Sequence, residues 1–189
     1  MITWWSLIVS FITGITGTVL LYERISGWYN KRITWKRILN GSKDIVTKVN
    51  KEAFIPDLII GGGRAGSILA SVVSGNLKNS KTPLCSFDFT YEWNNKNREV
   101  KLVNFPHPDL IKNKKILLCL GRVNTGGTLK IMLKAFNNES PAELKTASLF
   151  YSNTLTTIPD FYSYKLLKIK KMPWHLNKNY PKPGDPKIS

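Results

Sequence analysis

Asn124, Thr125, Gly126, Gly127 and Thr128 form a small-residue turn between two apolar segments. Ahead of it, Leu117-Leu118-Cys119-Leu120 reads as a buried strand; behind it, Leu129, Met132, Leu133 and Phe136 have helical spacing. Strand, tight turn and helix N-terminus together make a phosphate-binding geometry. The glycines let the backbone approach an anion, the unbonded N–H groups of the first helical turn point at it, and the helix dipole favours negative charge. Gly and Thr also build ordinary turns, so the run alone is a weak signal. The same order occurs upstream, where Leu58-Ile59-Ile60 leads into Gly61-Gly62-Gly63-Arg64-Ala65-Gly66 and then Ser67-Ile68-Leu69-Ala70.

Further landmarks follow: the strand-like run 145–151, then Ile158-Pro159-Asp160-Phe161-Tyr162, then Met172-Pro173-Trp174. In this order the motifs resemble those of the type I phosphoribosyltransferases, in particular the xanthine–guanine and hypoxanthine branch. That branch shows a Pro-Asp strand leading to an Arg-Gly-Gly loop and an Asp-Asp-x-x-x-Thr-Gly-x-Thr loop. It also has a Thr-Ala-x-Leu-Tyr-like strand, a Pro-Asp-Tyr segment and a Pro-Trp near the C-terminus. The resemblance runs from Thr34 to Trp174. It implies an α/β, Rossmann-like domain with a parallel sheet and a site for a phosphorylated ribose or nucleotide. It makes Gly62, Gly63, Arg64, Ala65 and Gly66 the candidate pyrophosphate loop. Function does not follow from such a fold by itself.

The departures from the family pattern fall on chemistry. In the resembled family two adjacent carboxylates precede the Thr-Gly-x-Thr loop and hold the ribose hydroxyls. Here those positions are Leu120 and Gly121, followed by Arg122, and no Asp or Glu occurs in 110–138. Magnesium takes hard oxygen ligands, usually carboxylates with substrate phosphates. Mg2+ is therefore expected only if the chain is catalytically active, and no metal-ligating cluster is read from the sequence. At the implied base site, Ser152 stands where the family has Lys, and Ile169 where it has a stacking Trp; Trp174 is retained. Asp88 and Glu92, on the strand after Pro83, are the candidates to replace the missing carboxylates. The expectation is a phosphate cradle without the ribose, metal and base contacts, hence a degenerate enzyme acting as a sensor or effector. The alternatives are an active purine-type transferase or glycosyl-bond-cleaving enzyme, and a structural or nucleic-acid-associated membrane protein.

Four segments are expected to carry this site. Residues 1–22 hold no charged side chain. As a helix they would span roughly 33 Å, the thickness of a bilayer core. Trp4 and Trp5 at one end, with Tyr22, Trp28 and Tyr29 at the other, are placed like interfacial belts. A single transmembrane helix is expected, with a buried N-terminal helix as the alternative. A cleaved signal peptide would want a basic start and a small-residue cleavage site. The basic linker 23–33 and the residues after it carry Arg24, Lys31, Arg32, Lys36 and Arg37 against the single acid Glu23. This asymmetry puts the domain, 34–176, in the cytoplasm and its basic flank against anionic lipids. Ser6, Ser10, Gly14 and Thr18 form a ridge of small side chains that suits pairing into a homo-oligomer. The tail, 177–189, is rich in Pro, Lys and Gly and is expected to be disordered.

Net charge is +16, from 28 Lys and Arg against 12 Asp and Glu, which calls for an acidic partner. Aromatics do not interleave with the C-terminal lysines as a base-stacking platform requires, so nucleic acid is a secondary partner. Cys85 and Cys119 sit in apolar runs and read as buried free thiols. In the domain, Thr34 is placed to cap a helix in which Trp35, Ile38, Leu39, Ile45, Val46 and Val49 face inward, with Gly41-Ser42 as a weak point. The segment 83–103 reads as two strands around a polar turn at 93–97.

Overall fold

The structure is a computed structural model in which residues 33–78, 81–94, 97–152, 157–165 and 172–173 are described. The expected membrane segment 1–22, linker residues 23–32, Ile169, Trp174 and the tail 177–189 lie outside the described residues. No helix among the described residues is long and apolar enough to cross a membrane. The chain divides into two units, Met1–Thr34 with Lys168–Ser189, and Trp35–Leu167. The second unit holds every element described below.

Helix α1 (Trp35–Lys51) is followed by β1 (Leu58–Gly62), α2 (Gly63–Ser74), β2 (Leu84–Asn94) and β3 (Asn97–Val103). Then come the single turn α3 (Pro108–Ile111), β4 (Lys115–Val123), α4 (Gly127–Asn138), β5 (Glu143–Tyr151) and β6 (Phe161–Lys165). The six strands form one sheet in the order β3-β2-β1-β4-β5-β6. All neighbours pair in parallel except β2 and β3, whose antiparallel hairpin makes one edge. A parallel sheet covered on both faces needs strands that are apolar throughout. All five residues of β1 are buried, as are Ile116 to Gly121 of β4.

Side chains alternate across such a strand. On one face Ile60, Leu118 and Leu120 meet Leu129, Met132 and Phe136 of α4, with Phe87 and Ile111 completing the cluster. The other face takes α2, whose backbone lies against that of β4. A Cβ placed on Gly66 would come within 2.3 Å of the Cys119 carbonyl oxygen. Cys119 is fully buried there, and burial pushes its thiol pKa well up; the half-buried Cys85 thiol is raised for the same reason. Both cysteines are free thiols.

Helix α1 buries Ile38, Ile45, Val46 and Val49 as expected, but also Gly41 and Ser42. Gly41 is a packing position rather than a weak point, because a Cβ there would stand 2.7 Å from the Tyr164 ring. Ser42 is satisfied by donating its hydroxyl to the Ile38 carbonyl at 2.9 Å. Trp35 and Leu39, expected on the inner face, are exposed. Beyond the helix end, Lys145 of β5 pairs with Glu52, and its ammonium stands 5.2 Å from the Phe54 ring centroid and 5.7 Å from that of Phe161. The Glu52 hydrogen bond raises the Lys145 pKa above its ordinary value, against a smaller opposing effect of burial.

Asp160, just ahead of β6, is tied to β5 through its carboxylate. Asp160 Oδ2 accepts from the Thr146 backbone N–H at 2.7 Å and from the Thr146 hydroxyl at 2.6 Å. Thr146 Oγ1 accepts in turn from the Asp160 N–H at 3.0 Å. Thr146 is 3% exposed, so water cannot readily replace these partners. Asp160→Ala leaves two donors unsatisfied and is expected to cost about 2 kcal/mol. Urea titration should show a lower midpoint with an unchanged slope.

Candidate phosphate site

Strands β1 and β4 are neighbours, yet the sequence continues from them to opposite faces of the sheet, into α2 and α4. This is a topological switch point, and the crevice beyond the strands' carboxyl ends is where open α/β sheets bind ligands. Both helices start at that edge. Gly62 precedes α2 and Gly126 precedes α4, and neither helix has a side-chain cap or an acid in its first turn. Ser, Thr, Asp and Asn at a helix start satisfy one of its first N–H groups with a side-chain oxygen; glycine, also common there, does not. The first intrahelical bond of α4 runs from Lys130 N–H to Gly126 O at 2.8 Å. Helix geometry therefore leaves the Gly127, Thr128 and Leu129 N–H groups without intrahelical acceptors, at the positive end of the dipole.

The two glycines of this turn differ in what requires them. Gly126 has φ 83°, a left-handed conformation that side chains resist. Gly127 has no such constraint: a Cβ there would meet only Thr125 Oγ1, at 3.8 Å. The fold does not need a glycine at 127, and its missing side chain leaves open space beside the N–H groups. Asn124, Thr125 and Gly127 are exposed, Thr128 is half-buried and Gly126 is buried.

The upstream glycines read differently. Gly62 ends β1 and Gly63 begins α2, so strand passes to helix with no loop between. Gly63 has φ 67° and would drive a Cβ to 2.8 Å from the Phe89 ring. Gly62 would drive one to 2.9 Å from Leu120, and Gly61 to 2.5 Å from the Ser67 Cα. Close packing thus accounts for the glycines at 61, 62, 63 and 66. Arg64 is exposed and Ala65 half-buried.

Leu120 is 5% exposed and belongs to the core beneath α4. Gly121 is buried against α2, where an added Cβ would lie 2.2 Å from the Ala65 Cβ. Position 121 has no room for a side chain, and an ionised carboxylate at 120 would be buried in the apolar core. Arg122 and Lys130 are exposed at the end of β4 and in the first turns of α4.

The hairpin arm extends beyond the end of β1, since Phe87 of β2 pairs with Gly62. Phe87 and Phe89 pack into the core cluster, and the Tyr91 ring meets Phe89 edge-on at 5.6 Å. These three share one strand face, and Tyr91 Oη reaches Thr128 Oγ1 at 3.3 Å. Asp88, Thr90 and Glu92 occupy the opposite face. Asp88 Oδ1 accepts from the Phe89 N–H at 2.8 Å, and Glu92 pairs with Lys101 at 3.3 Å. The arm therefore brings Tyr91, not Asp88 or Glu92, to the 124–128 turn. Sequence reasoning missed Tyr91; strand alternation from the aromatic core residue Phe87 was the available signal. Ser152 is buried just past β5, and its N–H donates to the Val123 carbonyl at 3.1 Å, beside the end of β4. Of the base-site positions, only Ser152 lies within the described residues.

A family model described as a phosphoribosyl transferase domain matches residues 33–180. No protein of curated function matches the sequence. Among solved structures, the chain is similar to a purine phosphoribosyltransferase from Pyrococcus horikoshii. The TM-score is 0.67 and identity 24%, covering 77% of this chain and 94% of that one. It is also similar to a hypothetical protein from Neisseria gonorrhoeae with bound ppGpp, with TM-score 0.64 and 21% identity over 72% of this chain and 82% of that one. The xanthine-guanine-hypoxanthine phosphoribosyltransferase of Helicobacter pylori gives TM-score 0.64 and 19% identity over 76% and 92%. With its sheet order, its switch-point crevice and a family match across most of its length, the chain belongs to the phosphoribosyl transferase domain family.

Proposed function

We propose that this protein binds a phosphorylated ribose or nucleotide at the 124–128 turn, does not transfer phosphoribosyl groups efficiently, and works as a membrane-anchored sensor or effector. The observation that carries the reading is the start of α4: a left-handed Gly126, no side-chain cap, and open space at Gly127. Three backbone N–H groups at a helix N-terminus suffice to hold a phosphate. Transfer asks for more, because the ribose and the departing pyrophosphate must be fixed and charge-compensated in the transition state. Leu120 in the core and Gly121 against Ala65 leave that second task without its residues. The Neisseria neighbour of the same fold has bound ppGpp, and that supports testing nucleotides with more than one phosphate.

Thermal-shift measurements on the full chain with ribose 5-phosphate, GMP, ppGpp and guanosine test this directly. Ligands that bind only the folded state raise the midpoint by an amount that grows with the logarithm of their concentration relative to Kd. The phosphorylated compounds should raise it and guanosine should not. Equal shifts from guanosine and GMP would remove the phosphate turn from the account.

The anchor rests on the uncharged segment 1–22 and the basic flank Arg24, Lys31, Arg32, Lys36 and Arg37. It places the domain on the cytoplasmic side, beside anionic headgroups. The ridge Ser6, Ser10, Gly14 and Thr18 would pair two such helices. Full-length protein is expected to stay with membranes through an alkaline carbonate wash, and a chain lacking 1–22 to become soluble. Release of the intact protein by carbonate would refute the anchor.

A further inference from the structure

We infer that the crevice holds its phosphorylated ligand as the free anion, without a divalent cation. The inference rests on the phosphate-binding reading above and concerns how the ligand's charge is neutralised. Magnesium bound with a phosphorylated substrate usually needs one or two protein carboxylates. The two positions at the end of β4 where the resembled family has carboxylates are closed to an ionised side chain, Leu120 by burial in the apolar core and Gly121 by lack of space. Leu120 fills the core under α4, and a Cβ on Gly62 would already stand 2.9 Å from its side chain. Gly121 faces α2, with Ala65 where any side chain would have to go.

No acid lies in 110–138, and neither α2 nor α4 has one in its first turn. Among the described residues, no three His, Cys, Asp or Glu side chains gather as a metal site. Asp88 and Glu92 sit on the arm face opposite Tyr91, the face that meets the turn. The two helix starts at this edge are uncapped, and Arg64, Arg122 and Lys130 are exposed residues of the elements that begin or end there. Charge-assisted hydrogen bonds from such groups neutralise phosphate directly, and arginine grips it with two parallel donors. A cation such as Mg2+ placed beside Arg122 would meet repulsion instead of a ligand.

Ala65 and Gly121 make one steric unit. The resembled family has glycine where this chain has Ala65, and a carboxylate where it has Gly121. The extra methyl and the lost side chain occupy the same space.

The test is calorimetric titration of the full chain in detergent with inorganic pyrophosphate and with GMP, in excess EDTA and in excess magnesium. Affinity is expected to be equal or weaker with magnesium, because complexation in solution competes for the phosphates. Tightening by about tenfold or more with magnesium would overturn the inference and leave the phosphate site standing. Absence of saturable binding in both conditions would instead overturn the site itself. The paired variant Ala65→Gly with Gly121→Asp supplies the space and the carboxylate together. It should gain magnesium-dependent tightening that the parent lacks, while Gly121→Asp alone should lower the unfolding midpoint. A folded double variant that ignores magnesium would overturn the inference that the missing carboxylate at 121 is what keeps the cation out.

Discussion

Gly66→Ala is expected to destabilise the domain by at least about 3 kcal/mol, the upper part of the range for overpacked cores. The cause is a backbone contact, not a side-chain one. The added Cβ would stand 2.3 Å from the Cys119 carbonyl oxygen, in the centre of the sheet, where neither partner can rotate away. Stability of a domain this size is of order 5–15 kcal/mol, so a large share of it would go. Loss of the contact between α2 and β4 would also expose Cys119, whose buried thiol is held in its unreactive protonated form. Chemical denaturation measures the first effect, and thiol labelling under native conditions the second. Gly127→Ala is the control. It meets only Thr125 Oγ1 at 3.8 Å and exchanges glycine for a better helix former, so it should be neutral or slightly stabilising.

The second large effect separates binding from folding. Gly127→Val should fold, since among the described residues a Cβ there meets only Thr125 Oγ1, at an ordinary contact distance of 3.8 Å. Its branched side chain would project beside the N–H groups of the first α4 turn and exclude a phosphate. A charge-assisted hydrogen bond is worth roughly 1.5–3 kcal/mol, so losing one or two should weaken phosphate binding at least about tenfold to a hundredfold. Titration with GMP should show this loss beside an unfolding midpoint close to the parent's. Unchanged affinity would mean that the anion is held elsewhere.

The glycines at 61–63, 66, 121 and 126–127 show what the sequence conveys and what it withholds. Their positions after apolar runs locate the carboxyl edge of the sheet, and the run at 126–127 does begin a helix there. Their reasons differ, and only long-range contacts tell them apart. Gly126 needs its left-handed φ, Gly66 needs the Cys119 backbone close by, and Gly121 yields space to Ala65, which lies far away in sequence. Gly41-Ser42 looks like a helix weak point locally because its partner, Tyr164, arrives from the last described strand. The hairpin at 84–103 was legible from two β-rich runs around a polar turn, and its antiparallel pairing follows from that turn. The role of Tyr91 was not legible, since its contact with Thr128 depends on the arm reaching past the end of β1. Asp88 and Glu92 stood out as acids near the expected site, but period-two alternation sends them to the face away from Tyr91.

We propose a domain that keeps the phosphate-binding half of the family's chemistry and lacks the half that transfers. Pyrophosphate release from phosphoribosyl pyrophosphate, measured with each purine base in the presence of magnesium, tests it most directly. No release at an enzyme-like rate is expected from protein that binds phosphorylated ribose in the same preparation. Release at such a rate, abolished by Asp88→Ala or Glu92→Ala, would contradict it and make the hairpin arm the source of the missing carboxylates.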